Sequence, residues 1–425
     1  MSMPLPGAGR RADLSDLSPR QAMLAIFVLS INFGVVFFDR NAVGFLVPFI
    51  QKDLDLSNSE IGALAAALAL TWALSGYFVG HLADQIGRRK LIIMISTAVF
   101  SLSSFISGLA WSFATLLVAR LLMGLAEGGV MPVSQSLTAD LVSEKRRGLA
   151  MGAMQAFGSN LFGGMIAPLV LIGLATQFGW RITFYLTAVP GLLSVMLMAW
   201  LVPDRPLGHQ GPIDAEGHVL GSSEPLGLRG LLGRNVILCC VISVCLVAYN
   251  AICWYFVPVF LTKFRGLGTQ EMSWLVAMLG LSAVFTGFAI PALSDHWGRN
   301  PVMILFSLVG LLMPLSALYL PAGFKSLAPG FFIGWAILGV YPIFMSIIPV
   351  ETVGSASAAK VLGLVVGAGE LFGGVLGPAA AGIVADMTDL TAPLWMMAGL
   401  ALAGALLSFG LIETAPARIG AKSPA

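Results

Sequence analysis

Five charged residues stand inside apolar runs long enough to cross a bilayer: Asp39, Arg40, Arg120, Glu127 and Glu370. On insertion scales a charge at the centre of a membrane helix costs about 2.5–3.5 kcal/mol, so such residues are kept for pairing or for function. Arg120 and Glu127 are seven residues apart, two helical turns, and share one face; Asn32 and Asp39 have the same spacing. Asp39 and Arg40 are adjacent and point about 100° apart on a helix, so one can look into a cavity while the other bonds to a neighbouring helix. Desolvation favours the neutral form of a carboxylate and a nearby guanidinium favours the charged form. A carboxylate balanced between the two can change protonation as water access changes, which is the chemistry of a proton-coupled carrier. The alternative is structural pairing between helices.

Further polar residues in the apolar runs are candidates to line the same cavity. They are Asn160 and Gln155 in one run and Tyr249, Asn250, Trp254 and Tyr255 in another, with Trp72 and Tyr77 in a third. Amides and phenols can bond substrate hydroxyls, although aromatic residues in membrane helices also serve as packing or interface anchors.

The elements that must position these groups are membrane helices. The chain of 425 residues is 57% apolar and 10% charged, with a mean hydropathy of +0.90, outside the range of soluble domains. At about 20 residues per crossing, twelve spans fit: 21–50, 59–82, 91–110, 113–137, 148–173, 180–202, 235–262, 271–292, 301–320, 327–349, 359–383 and 391–412. Residues 203–234, with four prolines and several glycines, form the one long break. The expected domains are therefore 1–202, a six-helix bundle with a polar tail; 203–234, a linker; and 235–425, a second bundle with its own tail.

An internal repeat supports that division. Gly80-His-Leu-Ala-Asp-Gln-Ile-Gly-Arg-Arg-Lys90 returns as Ala292-Leu-Ser-Asp-His-Trp-Gly-Arg299, pairing Asp84, Gly87 and Arg88 with Asp295, Gly298 and Arg299 at an offset of 211. Gly124 and Pro132 return as Gly334 and Pro342, and Asn160-Leu-Phe-Gly-Gly164 as Glu370-Leu-Phe-Gly-Gly374, at 210. Two copies of one half is a common plan of secondary transporters. The fold class expected is thus an all-α membrane protein of twelve transmembrane helices in two pseudo-symmetric six-helix bundles. Its repeated glycines (158, 163, 164, 373, 374 and 377) would allow close helix contact.

The loop motif resembles the signature of the major facilitator superfamily, carried by Gly80, Asp84, Gly87, Arg88 and Arg89, with Gln85 where the pattern usually has a cation. Asp39-Arg40-Asn41, with Arg120 and Glu127, resembles the anion:cation symporters within it, although an Asp-Arg pair also occurs in spinster-like lipid carriers. The resemblance implies symport of an organic anion, a sugar acid or other carboxylate, with protons. It implies that Arg40 binds the carboxylate, that Asp39 and Glu127 take up protons, and that Arg120 tunes Glu127. It also implies polar amides at two cavity positions. Asn160 fits the first. Glu370 departs from the second, and reads as a third proton site, a partner for Arg40, or a sign of a cationic or strongly donating substrate group. An antiporter or lysolipid carrier on the same fold, and a non-transporting sensor, are the rival readings.

Charge placement sets the expected topology. With both termini cytoplasmic, sixteen of the 23 cations fall inside and only Lys52, Arg181, Lys263, Arg265 and Lys325 outside, as positive-inside sorting requires. That places the chain in the cytoplasmic membrane with an uncleaved tail. On the inner face Asp84, Arg88, Asp140, Arg147, Asp295, Arg299 and Glu351 are expected to form inter-helix ion pairs that shut a cytoplasmic gate. A net charge of +2 offers no footprint for nucleic acid. No phosphate loop or nucleophile–base pair points to an ATPase or other enzyme. Cys239, Cys240, Cys245 and Cys253 share one apolar run and read as small membrane-helix residues, and no metal or cofactor is implied. The expected partners are the small anion, the proton and the bilayer, for a monomer. Asp84→Asn should raise labelling of cavity cysteines from the cytoplasmic side; an unchanged labelling ratio would mean that Asp84 is a solvated loop charge.

Overall fold

Long apolar stretches with few charges can satisfy their backbone in hydrocarbon only as helices, and helices are what the chain forms. The computed structural model describes residues 19–86, 88–141, 151–152, 154–202, 228–354 and 357–419. Among them, eleven helices are long and apolar enough to cross a membrane. They are α1 (Arg20–Leu54), α2 (Asn58–Gly76), α3 (Arg89–Gly108), α4 (Phe113–Gln135), α5 (Gly158–Phe178), α6 (Trp180–Leu201), α7 (Arg234–Phe264), α8 (Thr269–Trp297), α9 (Arg299–Tyr319), α10 (Phe324–Val353) and α11 (Lys360–Met387). A shorter apolar helix, α12 (Ala392–Ser408), completes twelve. The helix of α2 continues to Ile86 and that of α4 to Leu141. Of the expected linker, residues 203–227 lie outside the described residues, and Leu228–Leu231 makes one helical turn before α7.

Short turns fix the order of the helices. Ser112 and Thr115 form a reciprocal capping box at the start of α4. Gly298 turns α8 into α9 at φ 101°, where a side chain would be strained. This is the glycine of the second loop motif.

Packing follows the sequence repeat. In the first half α2 lies on α4, α3 on α4 and α6, and α1 on α5 and α6; in the second half α8 lies on α10, α9 on α10 and α12, and α7 on α11 and α12. The halves meet along α2–α11, α5–α8 and α1–α7. Two segments related by the repeat, Gln155–Ile166 and Gly369–Gly374, are wound as wide π turns. Such windings re-aim side chains and concentrate at functional sites; here they carry Asn160 and Glu370.

The halves touch mainly at one end, the one bearing the α1–α2 turn. Among the described residues, a single apolar core runs through the second half, and its buried members in the first half fall in residues 42–64, 110–116 and 167–184. At the other end the first half keeps its own cluster of Ala25–Val36, Ile92–Phe100 and Met123–Leu137 residues. Large apolar side chains such as Trp200, Met387 and Trp111 stay exposed around the bundle, as a lipid-facing surface demands.

The α5–α8 contact is close enough to be tested. A Cβ on Gly280 would lie 2.1 Å from the Gly164 carbonyl carbon, whereas Gly173 has open space beside it. Gly280→Val should therefore lower the melting temperature in detergent well beyond Gly173→Val, by an overpacking cost of about 1–3 kcal/mol. Equal melting of the two variants would show that α5 and α8 do not touch there.

Candidate functional site

The adjacent pair on α1 divides its attention. Asp39 is buried and turns into the first half, where one carboxylate oxygen accepts the Ser104 hydroxyl of α3 at 2.6 Å. Ser104 in turn shares a hydrogen bond with Thr187 of α6 at 2.7 Å. Arg40 points to the contact between the halves. Its guanidinium carbon sits 4.7 Å from the Trp72 ring and 5.9 Å from the Phe37 ring, and Nη2 lies 4.0 Å from the Glu370 carboxylate. This ion pair joins α1 to α11 across the two bundles, with both side chains mostly buried.

Arg120 and Glu127 lie on α4, buried on the inner face of the first half. Arg120 donates to the Ser107 hydroxyl at 2.6 Å and stands 5.6 Å from the Phe184 ring. Its Nε and Nη1, both Glu127 oxygens and the second Asp39 oxygen have no protein partner among the described residues. Glu127 feels Arg40, Asp39 and Arg120 electrostatically, and Tyr255 of α7 is within the same field. The structure therefore gathers Asp39, Arg40, Arg120, Glu127, Tyr255 and Glu370 around the midpoint of the molecule. Buried groups left without partners are unusual. In a carrier they are open positions for a proton, water or cargo.

The other sequence candidates are placed as follows. Asn160 donates to the Ala283 carbonyl of α8 at 3.3 Å, a second link between the halves. Asn250 accepts the Trp254 indole N–H at 2.9 Å. Tyr249 is buried in the second half with its hydroxyl on the Gly310 carbonyl and its ring beside Trp335. The side chains of Gln155, Asp84 and Asp140, and all of Arg147, lie outside the described residues. Arg88 is exposed at the start of α3. Arg299 is nearly buried and bonds Asp295 at 2.6 Å, Glu351 at 2.8 Å and the Ser294 hydroxyl at 2.6 Å. Glu351 also accepts from Thr414, and Glu413 accepts the Arg299 backbone N–H at 2.8 Å. The cluster ties α8, α9 and α10 together, and among the described residues its partners all lie in the second half.

Sequence reasoning passed over a polar seam on α3. Ser96, Thr97, Ser101, Ser104 and Ser107 recur at helical spacing and are all buried. Thr97 and Ser194 both donate to the Asn32 side chain, at 3.1 and 2.8 Å, while Ser104 and Ser107 hold Asp39 and Arg120. A three–four spacing of hydroxyls along one face was a readable signal. Tyr341 of α10 was also missed; its hydroxyl donates to the Leu246 carbonyl of α7.

Two bundles of six helices related by a repeat, with charges meeting between them, define a membrane carrier. The chain belongs to the Major Facilitator Superfamily, whose model matches residues 29–369; it is a secondary-active membrane transporter and not an enzyme. It is 29% identical over 353 residues, 80% of each chain, to the probable 4-methylmuconolactone transporter of Cupriavidus pinatubonensis (strain JMP 134 / LMG 1197). It is 26% identical over 393 residues to the hexuronate transporter of Bacillus subtilis (strain 168), covering 86% of this chain and 89% of that one. In fold it is similar to a bacterial homolog of the human lysosomal transporter Spinster in an inward-facing, unoccupied conformation, with a TM-score of 0.72, 18% identity, and 92% and 96% of the two chains covered.

The α3 seam gives a direct test. Ser107→Ala removes the hydroxyl that Arg120 bonds and should destabilise the protein by about 1–3 kcal/mol. Ser103→Ala removes a hydroxyl whose partner among the described residues is the Val99 carbonyl of its own helix, and should be near neutral. Equal thermal unfolding of the two would remove Ser107 from the site.

Proposed function

We propose that the protein carries an organic anion, a carboxylate, together with protons. The observation that supports it most is the setting of Arg40. This cation is held between the two bundles against the Trp72 face, with its nearest acid only loosely engaged at 4.0 Å. A guanidinium presents a planar pair of donors that a carboxylate can accept together. Glu370 then serves as the internal anion that cargo displaces, and Asn160, Asn250 and Tyr255 as polar neighbours of the bound molecule. Two relatives named for a hexuronate and a muconolactone support an acidic or lactone cargo. Asp39 and Glu127 are the proton sites, because among the described residues each keeps at least one buried oxygen without a protein partner. Under the positive-inside reading both termini face the cytoplasm, the protein lies in the inner membrane as a monomer, and the closed α1–α2 end is the outer one. The form described is then inward-facing, and the residues Asp84, Asp140 and Arg147 close the cytoplasmic side in the alternate form.

A second reading is a lysolipid carrier or antiporter. It is favoured by the Asp39-Arg40 pair and by the Spinster-like fold, although a likeness at 18% identity speaks to the fold alone. A thermal-shift screen of purified protein against hexuronates, muconolactones, simple carboxylates, amines and lysophospholipids separates the two. Stabilisation by carboxylates that Arg40→Lys abolishes supports the first reading, and stabilisation by lysophospholipid alone supports the second. In proteoliposomes Glu127→Gln should lose pH-driven uptake and keep counterflow, since an amide imitates the loaded, protonated state but cannot release a proton. If Glu370→Gln alone destroys driven uptake, the coupling site lies in the second half.

A further inference from the structure

The two seams that close the α1–α2 end are related by the repeat, yet they are not alike. At the α2–α11 seam, Asp386 of α11 accepts the backbone N–H of Asn58 at 2.9 Å and of Ser59 at 2.7 Å, and the Ser59 hydroxyl as well. The first N–H groups of a helix have no acceptor within it, and a carboxylate there also meets the positive end of the helix dipole. Here the acid comes from the other half of the molecule. The backbones beside it are in contact: a Cβ on Gly62 would lie 2.3 Å from the Pro378 carbonyl oxygen, and one on Gly382 2.3 Å from that of Asn58.

The repeat maps this seam onto α5–α8, with Pro378 on Pro168, Gly62 on Ser273, Asn58 on Thr269 and Asp386 on Thr176. The proline contact survives, because the Ser273 hydroxyl donates to the Pro168 carbonyl at 3.1 Å. The acid does not: Thr176 bonds the Ile172 carbonyl of its own helix at 2.8 Å. Beside Thr269 a cleft of about 1070 Å³ opens, lined by Lys52, Phe178 and Lys263 among others. Among the described residues, one seam is latched by a carboxylate and the other by close backbone approach and neutral hydrogen bonds from Ser273 and Asn160.

We propose that Asp386 is a gating residue of the transport cycle, a carboxylate cap that the second half places on α2 of the first and that must come off for the α1–α2 end to open. The bonds join groups that separate when the halves rock apart, so they stabilise the closed form and not the open one. A contact with that selectivity shifts the equilibrium between the forms. Asp386 touches no part of the central site and acts through conformation. The assignment needs no cargo, so it stands or falls separately from the organic-anion reading.

The test uses the full chain with Cys239, Cys240, Cys245 and Cys253 replaced by alanine. Spin labels are placed at Trp111→Cys and Tyr319→Cys, exposed positions of the first and second halves at the α1–α2 end. Asp386→Asn should raise the ratio of long- to short-distance populations about tenfold, the factor that about 1.4 kcal/mol commands, and Asp386→Glu should recover part of it. Asp389→Asn is the control, because among the described residues the Asp389 side chain bonds Thr391 in its own turn and nothing in the first half, and it should leave the distribution unchanged. Ser59→Ala removes one of the bonds to Asp386, should shift the distribution in the same direction, and decides the matter if Asp386→Asn does not fold. The proposal is overturned if Asp386→Asn, or Ser59→Ala in its place, keeps the parent distribution, or if Asp389→Asn shifts it as far as Asp386→Asn.

Discussion

Hydrocarbon offers no partner to a polar group, and that absence organises this molecule. Along the spans the backbone is satisfied within helices, and the charges that remain there are drawn to surfaces where protein faces protein. Arg40 cannot lie against lipid, so it turns to Trp72 and Glu370 at the contact between bundles. Asp39, one residue earlier, is sent the other way by helical geometry and finds Ser104. The same constraint places Arg120 against Ser107 on the inner face of the first half.

The resulting charge layout is asymmetric between the halves. In the first half Asp39, Arg120 and Glu127 are buried, with several atoms that have no partner among the described residues. In the second half the strong cluster is peripheral, where Arg299 is fully engaged by Asp295, Glu351 and the Ser294 hydroxyl. A group with every bond made holds helices together. A group with bonds unmade can change its partner, which fits the proposal that protons are handled in the first half. Glu370 is the exception that reaches from the second half into that site.

The contacts between halves are likewise divided by type. Around the midpoint they are polar and few: Arg40 with Glu370, and Asn160 with the Ala283 carbonyl. At the α1–α2 end close backbone approaches at small residues, such as Gly62 with Pro378, stand beside the Asp386 cap. Two bundles that meet through small residues can part without repacking large side chains. A carrier that rocks about a central site has use for such a surface.

The sequence by itself determined the twelve helices, the two halves and the loop motif, because hydropathy, charge and a repeat at 210–211 are properties of the chain read locally. It also determined which charges would be stranded, and that Asp39 and Arg40 could not face the same way. What it could not determine was partnership. The seam of Ser104 and Ser107 looks like ordinary small residues until α3 is laid against α1 and α4. Tyr249 and Asn250 read alike along the chain, but only Tyr249 is buried in the second half with its hydroxyl spent on Gly310. Asp386 reads as a loop-edge acid, and becomes a cap only because α2 of the other half begins beside it. Helices are set by neighbours a few residues apart, whereas the partner of a charge is set by helices hundreds of residues apart. Only the tertiary structure decides which of those meet.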